Sequence, residues 1–149
     1  MAFVCKYLAL YVPDLLAAEE FYRRVFGVEV LFRETERDGE WRTLPAATTW
    51  DVAVAAGIEV GMVALGRESL VLALFPGTPQ RGAVYEVSIG LGADEIDSLR
   101  AHPPDGVHVL EHSNGFMRFE DAFGFRWVLQ LPDAEFRSSG EIAGRWLDV

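Results

Sequence analysis

Hydrophobic positions along this chain change period in a regular order, from the two-residue alternation of a strand to the three-to-four-residue recurrence of a helix and back again. Val4 to Val12 is apolar and β-rich, and Pro13-Asp14 ends it with a residue that cannot donate to a ladder followed by a good helix N-cap. From Leu15 the positions Leu16, Phe21, Phe26 and the small pair Ala17-Ala18 recur at helical spacing, with Glu19, Glu20, Arg23 and Arg24 between them, until Gly27 closes the helix. Val28 to Glu34 alternates as a second strand, and Asp38-Gly39 is a turn signal. Ile58 to Ala64 and Ser69 to Phe75 read as two strands joined at Gly66 and stopped by Pro76-Gly77. The first half is therefore β-α-β-β-β. Residues 40–57 fit that scheme least well and read as an insertion, with Trp41, Trp50 and a short helix at Thr49 to Ala56.

The second half repeats the order in a weaker form. Val84 to Leu91 predicts a strand, and Ala93 to Ala101 a helix begun near Asp94. Gly106 to His112, Gly115 to Glu120 and Phe125 to Leu131 predict three further strands. Leu10-x-Val12-x-Asp14 aligns with Ile89-x-Leu91-x-x-Asp94, one extra residue preceding the second aspartate. The fold class that follows is α+β, with two βαβββ modules in one domain. Module one covers about residues 4–76, a linker 77–82, module two about 83–131, and a tail 132–149 that contains Phe136 and Trp146.

Composition narrows the function. The chain has 149 residues, half of them hydrophobic, which is enough apolar material for one core without disulfides or metal clips. Thirteen Lys and Arg face 23 Asp and Glu, and the net charge of −10 argues against nucleic acid or an anionic membrane as partner. Cationic ligands, or solubility alone, are compatible with it. Cys5 is the one cysteine, so a disulfide framework and a multi-cysteine zinc site are excluded and a reducing compartment is expected. With no signal-like start and no apolar run of membrane length, the expected location is the cytoplasm.

Two stretches carry a family resemblance. Tyr7-Leu8-Ala9-Leu10-Tyr11-Val12-Pro13-Asp14-Leu15, with Phe21-Tyr22 and Phe26-Gly27 downstream, resembles the opening of the vicinal oxygen chelate superfamily, which groups glyoxalase I, extradiol dioxygenases, fosfomycin resistance proteins and bleomycin-binding proteins. Phe119-Glu120-Asp121-Ala122-Phe123-Gly124-Phe125-Arg126-Trp127 is similar to its closing F-x-D-P-D-G-N-x-W signature, with Ala122, Phe123 and Phe125 replacing proline, aspartate and asparagine. The resemblance spans about residues 4 to 131 and implies that each module curls into half of a cup-shaped cavity. It implies a divalent metal held by one residue on the first and one on the last strand of each module. Those positions fall here on Tyr7, Ala73, Glu86 and Val128. Only Glu86 is a credible ligand, so the expectation is no catalytic metal and no other cofactor. Phe123 and Phe125 are expected to pack under the tail containing Trp146 or to form part of a ligand wall.

Other chemistry finds little support in the residues. His108 and His112 lie on a strand, where residues four apart are separated by about 13 Å, too far to share one ion. His102 reads as a solvent-facing helix end and Cys5 as an inert thiol. Gly90-Leu91-Gly92 lacks the third glycine of a dinucleotide loop, and Ser113, Ser138 and Ser139 sit in no nucleophile elbow. The remaining candidate is a lined cavity. If Tyr7 points in, so do Cys5 and Ala9, and the matching sets are Val71, Ala73 and Phe75, then Glu86 and Ser88, then Arg126, Val128 and Gln130. Trp41 and Trp50 are candidate lids, with core filling or a dimer contact as the alternative.

Such a lining suits a bulky, partly aromatic molecule held by stacking and a few directed hydrogen bonds. Resemblance to the bleomycin-binding branch implies metal-free sequestration of a natural product by a homodimer, with cationic ligands favoured by the acidity. The competing expectation is a glyoxalase-like lyase or isomerase using Glu86 and Tyr7 as acid and base. A third is a domain whose filled cup is simply a core.

Overall fold

The computed structural model describes residues 5–134. Two sheets are formed. The first contains β1 (Leu8–Val12), β2 (Glu29–Arg37), β3 (Glu40–Thr43), β4 (Met62–Arg67) and β5 (Leu70–Pro76) in the order β1-β5-β4-β2-β3. The second contains β6 (Val87–Gly90), β7 (His108–Ser113), β8 (Phe116–Glu120) and β9 (Arg126–Gln130) in the order β6-β9-β8-β7. In each, the first strand runs parallel to the last and the other neighbours are antiparallel. The chain must cross over after each first strand before a parallel partner can pair with it, and α1 (Leu15–Phe26) and α3 (Ala93–Ala101) begin that crossover. Two βαβββ modules are thus present. Among the described residues no helix is long and apolar enough to cross a membrane.

Helix α1 has the ends its sequence dictates. The Asp14 carboxylate accepts from Ala17 N–H at 2.9 Å, and Gly27 closes the helix in the left-handed conformation at φ +63°, donating to Arg23 O. Its inner face presents Leu15, Ala18, Phe21, Tyr22, Val25 and Phe26. Val63, Leu65, Leu72 and Leu74 meet it from the first sheet, each fully buried and each contributing on the order of 1.5–3 kcal/mol. Among the described residues the opposite faces of both sheets carry no helix.

Several strands are shorter than their apolar runs, for identifiable reasons. Ile58 and Val60 pack into the core as the approach to β4, and pairing with β2 starts only at Met62 opposite Glu34. Val84 and Tyr85 have no ladder partner because β9 begins at Arg126, and they remain exposed. Residues 40–57 form β3, a hairpin partner of β2, and α2 (Trp50–Ala55), capped by Thr49. Glu19 departs most from its expected place among the polar residues of α1. It is 2% exposed, takes a fork of hydrogen bonds from Arg33 at 2.9 and 2.6 Å, and accepts from Trp50 Nε1 at 2.9 Å. The insertion is thereby pinned to the helix side of the sheet.

The modules are joined by α1, which also packs on the second sheet. Phe26 meets Trp127 and Phe119, while Phe21 and Tyr22 meet Phe123. At the centre Asp121, 5% exposed, accepts from Tyr22 Oη at 2.6 Å, Trp127 Nε1 at 2.8 Å, Phe123 N at 2.8 Å and Phe125 N at 3.0 Å. Burial and the adjacent Asp121 hold the Tyr22 phenol well above its ordinary ionisation range. A second tie joins the Arg67 guanidinium to both Glu95 oxygens, at 2.6 and 2.8 Å, and to Phe26 O. The hydrogen bonds from Arg67 lower the Glu95 pKa.

Two outcomes are expected. Asp121→Ala leaves four donors, three of them buried, without an acceptor and should cost at least about 3 kcal/mol in urea unfolding; a loss under about 1 kcal/mol contradicts the role given to this carboxylate. Because the folded chain keeps Tyr22 protonated while the unfolded chain ionises it near about pH 10, stability is complete below that pH and falls above it. Unfolding curves of Tyr22→Phe should therefore show a shallower alkaline decline than those of the wild type, and an identical decline would contradict it.

Candidate functional site

Alternation along the strands decides which side chains reach the open faces. On the first sheet these are Ala9 and Tyr11 from β1, Ala73 and Phe75 from β5, and Met62 and Ala64 from β4. Trp41 joins them, its ring reaching over Gly61 to meet Phe75 edge-on at 6.2 Å. This face is aliphatic and aromatic. On the second sheet the open face carries Ser88, Arg126, Val128, Gln130, Phe116, Arg118 and Glu120, with Glu86 just before β6. It is charged and hydrogen-bonding.

The charged face is organised around Arg118, which the sequence analysis does not single out. Arg118 Nε donates to Glu86 Oε2 at 3.0 Å, its NH1 pairs with Glu111, and its guanidinium lies over the Phe116 ring at 5.4 Å. The hydrogen bond to Glu86, aided by both carboxylate charges, raises the Arg118 pKa, so its positive charge is permanent. Arg118 is also the register partner of Val128, which is only 4% exposed despite lying on the open face. The signal that could have found it is the phase of Phe116, Arg118 and Glu120 in β8, opposite to that of buried Met117 and Phe119. Nearby, Gln130 Nε2 donates to Ser88 Oγ at 2.8 Å, and Arg126 lies over the exposed Tyr85 ring at 5.1 Å.

The eleven residues expected to line one cavity are spread over several places. Tyr7 and Ser88 line a cavity of about 570 Å³ at the seam between the modules, together with Cys5, Val71 and Gly90. Ala9 and Arg126 line a neighbouring recess of about 200 Å³, walled by Val84 and Phe125. Leu8 and Val87 border both, where the unpaired edges of β1 and β6 approach. Trp41 and Phe75 belong to a third recess at the far end of the aromatic face. Ala73, Glu86, Val128 and Gln130 lie on the open faces beside these.

Trp50 is the correction. Its hydrogen bond to Glu19 and its contact with Arg33 hold it on the helix side, packed against the core, so it is not a lid over the open face. Phe123 is buried against Phe21 and Tyr22 rather than exposed to a ligand. Phe125 borders the recess beside Arg126, while Phe136 and Trp146 lie outside the described residues.

The four positions that the resemblance assigns to a metal do not fit one. Ala73 and Val128 offer no lone pair, Tyr7 sits in the seam cavity, and Glu86 is already hydrogen-bonded to a guanidinium. Among the described residues no three His, Cys, Asp or Glu side chains gather into a metal-binding group. His108 and His112 stand on β7, and His102 is an exposed residue at the end of α3.

A family model described as the Glyoxalase/Bleomycin resistance protein/Dioxygenase superfamily matches residues 5–129. A search of curated proteins returned no match. Among solved structures, the fosfomycin resistance protein FosX from Listeria monocytogenes, complexed with Mn(II) and sulfate ion, is similar with a TM-score of 0.61 at 14% identity, over 88% of this chain and 93% of that one. FosX from Mesorhizobium loti gives 0.60 at 13% identity, over 87% and 92%. A possible glyoxalase from Bacillus cereus gives 0.55 at 18% identity, over 87% and 99%. At these identities the likeness is one of fold.

Calorimetric titration with Mn²⁺, Ni²⁺ or Zn²⁺ should accordingly show no saturable one-to-one binding. Stoichiometric uptake that Glu86→Ala abolishes would overturn this reading of the four positions.

Proposed function

This chain belongs to the glyoxalase/bleomycin resistance protein/dioxygenase superfamily, and within it we propose a metal-free binder that sequesters a bulky, partly aromatic natural product on its open faces. The observation that carries the proposal is the fate of Glu86. The one carboxylate among the four metal positions is engaged by Arg118, while Tyr11, Trp41 and Phe32 stay 40–50% exposed on the aromatic face. Exposed aromatic surface of this kind marks a binding site more often than it serves stability. Arg118 uses Glu86 Oε2, which leaves the other oxygen of a half-buried carboxylate to accept a hydrogen bond from a ligand.

The ligand is read as aromatic because stacking on Tyr11, Trp41 and Phe75 is the interaction the first sheet offers in quantity. Ser88, Gln130 and Arg126 on the other sheet would orient it. A homodimer follows as part of the same proposal, since two open sheet faces of one chain gain coverage from a second copy. The alternative, a lyase or isomerase using Glu86 and Tyr7 as base and acid, has less support: Tyr7 is 60% exposed in the seam cavity and Glu86 is tied to Arg118.

Titration with a panel of bulky aromatic and cationic antibiotics, followed by tryptophan fluorescence and mass spectrometry of the recovered compound, tests this. Saturable quenching with the compound recovered unchanged is expected, and Glu86→Ala should weaken binding about tenfold, the effect of one charge-assisted hydrogen bond. A chemically altered compound would establish the lyase or isomerase instead, and no response across the panel would return the open faces to a purely structural role.

A further inference from the structure

Three aromatic rings from three different strands meet at one end of the first sheet's open face. Tyr11 in β1 and Phe75 in β5 are register partners, so their side chains rise side by side from the same face. Trp41 comes from β3, three strands away from Phe75, and reaches it because the β2–β3 hairpin extends past the end of β4. The chain makes room for these rings with two glycines. A Cβ on Gly61 would stand 3.1 Å from the Trp41 ring, and a Cβ on Gly77 would stand 2.6 Å from the Tyr11 ring. The rings and Gly61 line a recess of about 310 Å³, and the carboxylates that border it are Glu36 and Glu59.

Glu36 accepts from Gly39 N within its own turn, and among the described residues neither Glu36 nor Glu59 forms an ion pair. An aromatic ring presents the negative side of its quadrupole to a group that lies over its face. An anion is therefore disfavoured by rings and carboxylates together. A strongly hydrated ammonium keeps its water and gains little from the rings. A methylated or otherwise alkylated ammonium is weakly hydrated, apolar at its surface and positively charged, and it satisfies both elements of the wall.

We propose that Tyr11, Trp41 and Phe75, with Glu36 and Glu59 at the rim, form a subsite for an alkylated organic cation. The net charge of −10 steers such a ligand towards the protein from a distance, an effect that salt suppresses. The inference rests on the small-molecule-binding reading above and names the chemistry of one arm of its ligand.

Choline and its uncharged carbon isostere 3,3-dimethylbutan-1-ol separate charge from shape. Proton NMR of the methyl resonances reads the site directly, because methyl groups seated among aromatic rings shift upfield. Choline is expected to show a saturable upfield shift, and the isostere to bind at least about tenfold more weakly. Trp41→Ala should abolish the shift, and Trp41→Phe should retain part of it. Glu59→Gln, an exposed change that leaves the sheet intact, should weaken choline several-fold at low salt and progressively less as salt is added. Equal binding of the two probes, or a choline shift that Trp41→Ala leaves in place in a folded variant, overturns the cation subsite. If choline fails while the aromatic panel still quenches, the subsite falls and the binding reading stands. Should choline bind while the whole panel fails, the subsite stands and sequestration of a bulky aromatic ligand falls.

Discussion

One buried carboxylate decides how the two halves of this chain sit against each other. Asp121 accepts from two backbone N–H groups of its own turn, from the Trp127 indole and from the Tyr22 phenol. The first three shape the turn between β8 and β9; the fourth comes from α1, nearly a hundred residues earlier. A carboxylate this deeply buried is tolerable only with its lone pairs filled. Seating Tyr22 brings Phe21 and Phe26 against Phe123, Phe119 and Trp127, so one helix covers both sheets on the same side. Arg67 and Glu95 add a second tie one turn further on, at the C-terminal end of α1, where the guanidinium also donates to Phe26 O.

With α1, α3 and the insertion's Trp50 on that side, the other faces of the sheets carry no helix among the described residues, and they differ. One offers aliphatic groups and aromatic rings, the other a lattice of carboxylates and guanidinium groups centred on Arg118. Of the four positions that the resemblance assigns to a metal, Ala73 and Val128 offer no lone pair and Glu86 is hydrogen-bonded to Arg118, which leaves the Tyr7 phenol alone. Fold likeness to FosX therefore does not carry FosX chemistry with it.

Much of the fold was legible in the sequence because it rests on local signals. Asp14 and Gly27 bound α1, Thr49 caps α2, and the repeated strand-helix-strand order marks the modules. Strand ends were less so, since a strand stops where its partner stops: Val84 and Tyr85 look like strand and are not, because β9 offers nothing opposite them. The site was legible only in part. Alternation separates Ala9, Ala73, Phe75, Ser88 and Val128 from the helix-facing positions, but it has no information on which face meets which, and the structure does not gather these residues into one cavity. Trp41 and Trp50 look alike in sequence, yet one lies over Gly61 and the other is hydrogen-bonded to Glu19 on the reverse side. Glu19 itself reads as a solvated helix residue, and only the tertiary approach of Arg33 explains its burial.

The account holds that the open faces bind an organic molecule without help from a metal, with the aromatic end seating its cationic arm. A crystal structure of the protein with a bulky aromatic ammonium compound tests this most directly. The account predicts an intact molecule whose alkylated nitrogen lies among Tyr11, Trp41 and Phe75, with no metal density at Glu86 and with the Arg118 to Glu86 hydrogen bond in place. A molecule bound elsewhere with that recess empty, or a metal coordinated by Glu86 after Arg118 has swung away, would contradict it.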